Sequence, residues 1–448
     1  MNMFFIVRKS EELKVSYTEV LRKAFSLKQV RAALANSGQR NRIFKPLKTF
    51  IIWLGQTLAP DQSCRNALAN ARSAGIVPKK SSVHTGGYCQ ARDRLQESAL
   101  RNIGVSLGET LIKAEKTDGC WYGRRVIVAD GSSVSLPDTK ANQAVYPQPN
   151  TQAVGCGFPV MYLGTLMSLA SGALMDFETG SGNGNELSLW RKMWHLLESG
   201  DIMLGDSKYS SYADIAILKK RGIDTVARLG KRKTDFRKGK IIGLKDHLVE
   251  WSRPKELPAW LDKEVLPETM TVRELSYRVE SPGARTETVT IVTTLLDVEL
   301  YPKEEIAELF FCRWQIELRF KDIKIMLNMD ILRTKTPERA RKELWMYLIA
   351  YNILRTIMYA AALKSGQTVA RISFVGCQQR LLAVAIDNCS DRQFCHLYHG
   401  LLNDLANDLN MDRPCRIEPR AIKRRKKQYD LLNQPREILK ARLMKKGA

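Results

Sequence analysis

At 448 residues, with 44% hydrophobic and 26% charged side chains, the chain reads as a globular protein of two or three domains rather than a disordered or fibrous one. Its 71 Lys plus Arg against 47 Asp plus Glu leave a net charge of +24, which points to a polyanion and first to nucleic acid; ribosomal or membrane-surface binding stays open on composition alone. Nine scattered cysteines without a C-x-x-C pair argue against a disulfide framework or a zinc ribbon, and Cys389, Cys395, His396 and His399 lie close together but fit no standard zinc spacing.

The opening, MNMFFIVRKSEELK, has too short an apolar run for a signal peptide, and no later stretch approaches ~20 uninterrupted apolar residues. A cytoplasmic protein without a membrane partner is expected. Residues 1–115 alternate apolar and basic positions at helical spacing and form an expected helical DNA-binding domain. Within it, Thr85, Gly86 and Gly87 look like a turn and N-cap ahead of one long amphipathic helix. Gln90, Arg92 and Arg94 near its start are side chains of the kind that read bases or hold phosphates, as in a helix-turn-helix contact; a solvated basic face explains them equally well.

Residues 116–410 read as an α/β catalytic core. "RRVIVAD" (124–130) is a buried-strand pattern closed by Asp130, with a sharp Asp-Gly turn expected just beyond. "FPVMYLGTLMSLASGALMDFETG" (158–180) reads as a hairpin turning near Ser171-Gly172. "DIMLGD" (201–206) repeats the apolar strand ending in an acid, here Asp206; "SSYADIAILKKRG" (210–222) is a helix and "DTVARL" (224–229) another strand. The basic, proline-bearing stretch of about 230–286 reads as a mainly β insertion, after which "TETVTIVTTLLD" (286–297) is β-branched and strand-like. A long helix is expected after Pro302, further helices to about 410, and a basic tail over 411–448.

In that long helix, at about 100° per residue, Phe310, Arg313, Glu317, Lys321 and Lys324 share one face with Trp314 at its margin. Leu309, Cys312, Ile316, Phe320, Ile323 and Leu327 make a core face. Taken alone, the polar ridge needs no more than i,i+4 ion pairs worth ~0.2–0.5 kcal/mol each. Asp130 and Asp206 change the weighing, because acids at the ends of buried strands are poorly hydrated and call for a cation. Two such aspartates with Glu317 could hold two divalent ions roughly 3.5–4 Å apart for in-line phosphoryl transfer. Oxygen ligands suit Mg²⁺, with Mn²⁺ as substitute, and Arg313, Lys321 and Lys324 would then bind phosphates. Asp176, Glu178 and Glu186 could compete for a metal, but hairpin or loop positions make solvated roles the expectation, and Asp138 and Asp297 read as turn residues.

The spacing F-x2-R-x3-E-x6-K at Phe310, Arg313, Glu317 and Lys324 resembles the Y-x2-R-x3-E-x6-K signature of insertion sequence 4 family transposases. "VADGSSVSLPDT" with Asn142 resembles that family's first block and "GDSKYSSY" its second; "YCQARDRL" and the tail "RPCRIEPRAIKRRKKQYDLL" also look like family sequence. The resemblance implies an RNase H-like core with a DDE triad of Asp130, Asp206 and Glu317 as metal-binding catalytic residues. It also implies phosphate contacts at Arg313 and Lys324, a further DNA contact at Trp314, and a β insertion in which Trp251 or Trp260 could accept a flipped base. Phe310 departs from the family tyrosine, which leaves aromatic packing but no hydroxyl. The implied activity is Mg²⁺-dependent cleavage of the element's terminal inverted repeats and joining of the 3′-hydroxyl to target DNA. The implied partners are double-stranded DNA and, on it, a second copy of the chain, with the C-terminal helices as the expected interface. The rival readings are a non-catalytic DNA-binding relative or inhibitor of transposition, and a metal-dependent nuclease without strand transfer.

Overall fold

The computed structural model describes residues 27–37, 43–78, 80–115, 120–182, 186–230, 232–261, 266–279, 287–383, 391–410 and 432–446. Among the described residues, five helices come first: α1 (Leu27–Ala33), α2 (Pro46–Leu58), α3 (Cys64–Ser73), α4 (Gly86–Arg94) and α5 (Glu97–Lys113). The single long helix expected after Gly87 is two. Leu95 and Gln96 take extended backbone between α4 and α5. The break is stabilised on both sides: Leu95 is buried, and the Gln96 amide donates to Ser37 Oγ at the end of α1, 3.3 Å away. Leu100, Ile103, Leu107 and Leu111 then give α5 one continuous buried stripe.

The core follows in chain order as β1 (Val126–Ser135), α6 (Lys140–Val145), β2 (Val160–Ser168), β3 (Leu174–Ser181), α7 (Glu186–Lys192), β4 (Ile202–Gly205), α8 (Tyr212–Lys220) and β5 (Asp224–Arg228). Four further strands, β6 (Lys240–Gly243), β7 (Asp246–Ser252), β8 (Thr269–Val279) and β9 (Glu287–Thr293), precede α9 (Lys303–Phe311) and α10 (Trp314–Lys321). A π-turn (Asp322–Met326) leads to α11 (Pro337–Ser365), α12 (Phe374–Ala383), α13 (Asp391–Asn407) and α14 (Arg436–Lys446).

The nine strands among the described residues form one sheet in the order β3-β2-β1-β4-β5-β9-β8-β7-β6. β4 is parallel to both β1 and β5, and every other pairing is antiparallel. This mixed α/β sheet is the RNase H-like arrangement that the sequence resemblance implies. The β-rich stretch after residue 230 extends the same sheet through β9 and β8 instead of packing as a separate layer.

Helix α11 is long and apolar enough to cross a membrane, but its residues are the centre of the packed core. It grips the β2–β3 hairpin: Asn352 both accepts from and donates to the Leu174 backbone (3.0 and 2.9 Å), Tyr351 donates to the Gly172 carbonyl (2.8 Å), and Arg355 Nε donates to the Ser171 carbonyl (2.9 Å). Arg355 is fully buried, and burial draws its guanidinium down to about 10. The hairpin it fixes pairs along β1, the strand that carries Asp130.

The expected Asp130-Gly131 turn is not there. β1 runs straight through to Ser135, because β2 pairs with it along its whole remaining length, Asp130 opposite Thr165 and Gly131 opposite Gly164. The expected helix over 303–327 is also interrupted, at Cys312–Arg313, where i→i+3 bonds join α9 to α10. Of the tail, only 432–446 is described, and the Cys389 of the weighed zinc cluster lies outside the described residues.

Candidate active site

The parallel register of β1 and β4 explains why two distant aspartates meet. Val126, Ile127 and Val128 pair with Ile202, Met203 and Leu204. Two residues further along each chain stand Asp130 and Asp206, close enough that the charge of Asp206 acts on Asp130. β4 has ended there, so Asp206 caps a short 3₁₀ turn (Ser207–Tyr209), its carboxylate accepting from the Lys208 amide at 2.7 Å.

Asp130 is half-buried, and its carboxylate accepts from the Gly131 amide at 2.8 Å. Burial pushes its acid up to about 6, with Glu186 and Asp206 adding to the push. The Gly131 amide and the positive charge of Arg313 act against it. A carboxylate raised by desolvation and by other carboxylates is a place where a cation would be stabilised.

The third acid at this point is Glu186, which sequence reasoning assigned to a solvated loop. It opens α7 and turns inward, accepting from Tyr209 Oη at 2.9 Å and pairing with Lys208 Nζ. It fits because Gly131 has no side chain: a methyl there would come within 2.6 Å of Glu186 Cδ. A cavity of about 560 Å³ opens beside the acids, bounded by Gly131, Ser133, Tyr162, Glu186 and Lys208. The solvated reading also fails for Asp176, which is buried and paired with Arg101 at 2.6 Å; Glu178 shares that arginine at 3.2 Å. Asp297 is a turn residue as expected, capping the amides of Glu299 and Leu300.

Glu317 lies on the exposed side of α10, a helix that packs against β1, and its Oε1 is 3.4 Å from Arg313 Nη2. Arg313 also acts on the charge of Asp130. The guanidinium is within electrostatic reach of Asp130, lies 5.8 Å from the Phe310 ring and 5.7 Å from that of Trp314, and its buried Nε has no acceptor. Phe310 itself is core, 6% exposed, so its aromatic packing stands without a hydroxyl. Trp314 is half-exposed and Lys321 exposed, whereas Lys324 is paired with Asp330 at 3.1 Å past the π-turn.

The α4 residues have different surroundings. Gln90 is exposed, Arg94 is partly exposed, and Arg92 faces inward with its guanidinium 3.9 Å over the Trp53 ring. In the insertion, Trp251 is buried and donates to Glu274 at 2.7 Å, which fits a structural role. Trp260 is partly exposed under the guanidinium of Arg191, 4.0 Å away.

Among the described residues, no group of three or more His, Cys, Asp or Glu side chains is already gathered around one metal position. The donor chemistry nevertheless fits a hard divalent cation: carboxylate oxygens only, that of Asp130 desolvated, next to a cavity that Glu186 lines.

Residues 121–353 match the family described as "Transposase DDE domain". The chain is 26% identical over 286 residues to the transposase InsG of insertion sequence element IS4 from Escherichia coli, covering 62% of each chain. It is 22% identical over 278 residues to the transposase of IS231F from Bacillus thuringiensis subsp. israelensis, covering 53% of this chain and 57% of that one. With the IS231C transposase of Bacillus thuringiensis subsp. berliner it shares 24% identity over 358 residues, 70% of this chain and 72% of the relative. The first two matches thus span less than two thirds of those relatives' length.

Proposed function

The chain belongs to the transposase DDE domain family, and on that premise we propose that it is a cut-and-paste transposase acting on the ends of an insertion sequence. What supports this reading is the β1–β4 register, which brings the chain at Asp130 and at Asp206 together, with Asp206 and Arg313 both acting on the charge of Asp130. In this proposal Asp130, Asp206 and Glu317 hold Mg²⁺ or Mn²⁺, which when bound supplies Lewis-acid stabilisation for phosphodiester chemistry. The partners are double-stranded DNA at the element's ends and in the target, and a second copy of the chain in the paired complex, all in the cytoplasm.

The chain's own residues have separable parts in this reading. Asp130 must be ionised to act, and its raised pKa makes its ionisation responsive to an approaching cation. Arg313, held by packing against Phe310 and Trp314, supplies a guanidinium of the kind that grips a phosphate oxygen. Lys321 is exposed beside it, and Lys324 would exchange Asp330 for a phosphate. Trp314 offers a half-exposed ring to a base or sugar. Glu186 keeps Lys208 and Tyr209 in place, so the turn that carries Asp206 is fixed before DNA arrives.

The test is product analysis with DNA carrying the element's ends, a target plasmid and Mg²⁺. Cleaved ends covalently joined to the plasmid through their 3′-hydroxyls are expected. Cleavage without joining would favour a nuclease, and binding without cleavage a non-catalytic relative.

A further inference from the structure

The helices that precede the core carry a second chemically distinctive site, apart from the acids. Cys64 is the first residue of α3, directly after the capping Ser63, so its sulfur stands at a helix N-terminus. Three donors converge on that sulfur. Arg92 Nη1 is 3.3 Å away, Gln56 Nε2 is 3.6 Å away, and the Cys89 thiol donates from 3.8 Å.

The donors are themselves held. Tyr88 donates to Gln56 Oε1 at 2.8 Å, which turns the amide nitrogen toward Cys64. Trp53 stacks under the Arg92 guanidinium at 3.9 Å. A neutral thiol is a weak acceptor, and three fixed donors around one sulfur describe a thiolate. In keeping with this, the Cys89 hydrogen bond, opposed by burial and reinforced by Arg92, brings Cys64 down to about 5, while the Cys89 thiol is raised. Both cysteines are partly exposed, and a cavity of about 370 Å³, also bordered by Trp53, Arg92, Arg333 and Glu343, leads to them.

We propose that Cys64 and Cys89 form an oxidant-sensitive thiolate–thiol pair, which a peroxide converts to a disulfide joining α3 to α4. The Cys64 thiolate attacks one peroxide oxygen, forming an S–O bond as the O–O bond breaks and hydroxide leaves. Cys89 then gives up its proton and attacks that sulfur; the S–S bond forms, the S–O bond breaks, and the oxygen departs as water. The balance is two thiols and one hydrogen peroxide to one disulfide and two waters. The sulfurs must close by about 1.8 Å to reach bonding distance. The new bond removes the anion that Arg92 faces and fixes a guanidinium-bearing helix to its neighbour.

The experiment uses the full chain in its reduced form. At pH 6, iodoacetamide is expected to alkylate Cys64 roughly ten-fold faster than the similarly exposed Cys156, the gain in thiolate outweighing its lower nucleophilicity. Stoichiometric hydrogen peroxide is expected to remove two mass units and yield one linked peptide containing Cys64 and Cys89. In Cys89→Ser, Cys64 is expected to give a dimedone adduct instead. Should that variant not fold, the two wild-type measurements still decide. Alkylation of Cys64 no faster than of Cys156, or peroxide treatment that leaves Cys64 and Cys89 unlinked, would overturn the proposal.

Discussion

A carboxylate at position 130 is costly where it stands, and that cost is measurable. Its folded pKa lies above its ordinary value, so the associated stability is fully present below about 4 and lost as pH rises through about 6. Asp130→Asn removes the ionisation. The variant is expected to be more stable than the wild type by about 1–2 kcal/mol at pH 8 without divalent cation, the difference vanishing toward pH 4. Chemical denaturation at both pH values checks this, and a difference independent of pH would refute it. Gly131→Ala probes the neighbouring acid. The atoms nearest the methyl belong to the movable side chain of Glu186, so stability should change by less than about 1 kcal/mol, while cleavage should fall at least about ten-fold as the Lys208–Tyr209 turn loses its anchor. Asp130 and Asp206 were legible in the sequence because each closes an apolar run. Glu186 was not: its hairpin-edge or loop position reads as that of a solvated acid, and the bare backbone of Gly131 is what admits it to the site.

Individual elements followed the sequence where burial was one-sided. The strands of the core and the β2–β3 hairpin appear where apolar runs and Ser171-Gly172 placed them, and the stripe from Leu309 through Leu327 is largely buried. What periodicity missed were interruptions. The breaks at Leu95–Gln96 and Cys312–Arg313 depend on partners elsewhere or on a local change in hydrogen-bond step, and neither involves proline or glycine. Close helix packing gives a prediction at this scale. Gly108 on α5 faces the Leu174 carbonyl, which an added Cβ would approach to 2.7 Å. Alanine improves helix propensity by about 1 kcal/mol, but a backbone oxygen held by Asn352 cannot easily retreat. Gly108→Ala should therefore be destabilising on balance, by about 1–3 kcal/mol in equilibrium unfolding. A more stable variant would show that α5 can slide away from β3.

Across the whole molecule, one sheet carries Asp130 on a central strand and Asp206 just past the end of the next, with the β-rich insertion at one flank, and α10, which bears Glu317, packs against β1. The charge of +24 was legible from composition, yet not its use: many of the described arginines, Arg101, Arg124, Arg125, Arg191 and Arg273 among them, are in internal ion pairs. The remaining basic surface should make DNA binding steeply salt-dependent, with about 10³-fold weaker affinity at 200 mM than at 50 mM salt for some six phosphate contacts. Nearly salt-independent binding would point to a different partner. The central claim is that Asp130, Asp206 and Glu317 act together on DNA, and single substitutions test it most directly. With end-bearing duplex and Mg²⁺, Asp130→Ala, Asp206→Ala and Glu317→Ala should each bind DNA yet cleave at least about 10³-fold more slowly than the wild type. Cleavage by Glu317→Ala at the wild-type rate would contradict the account.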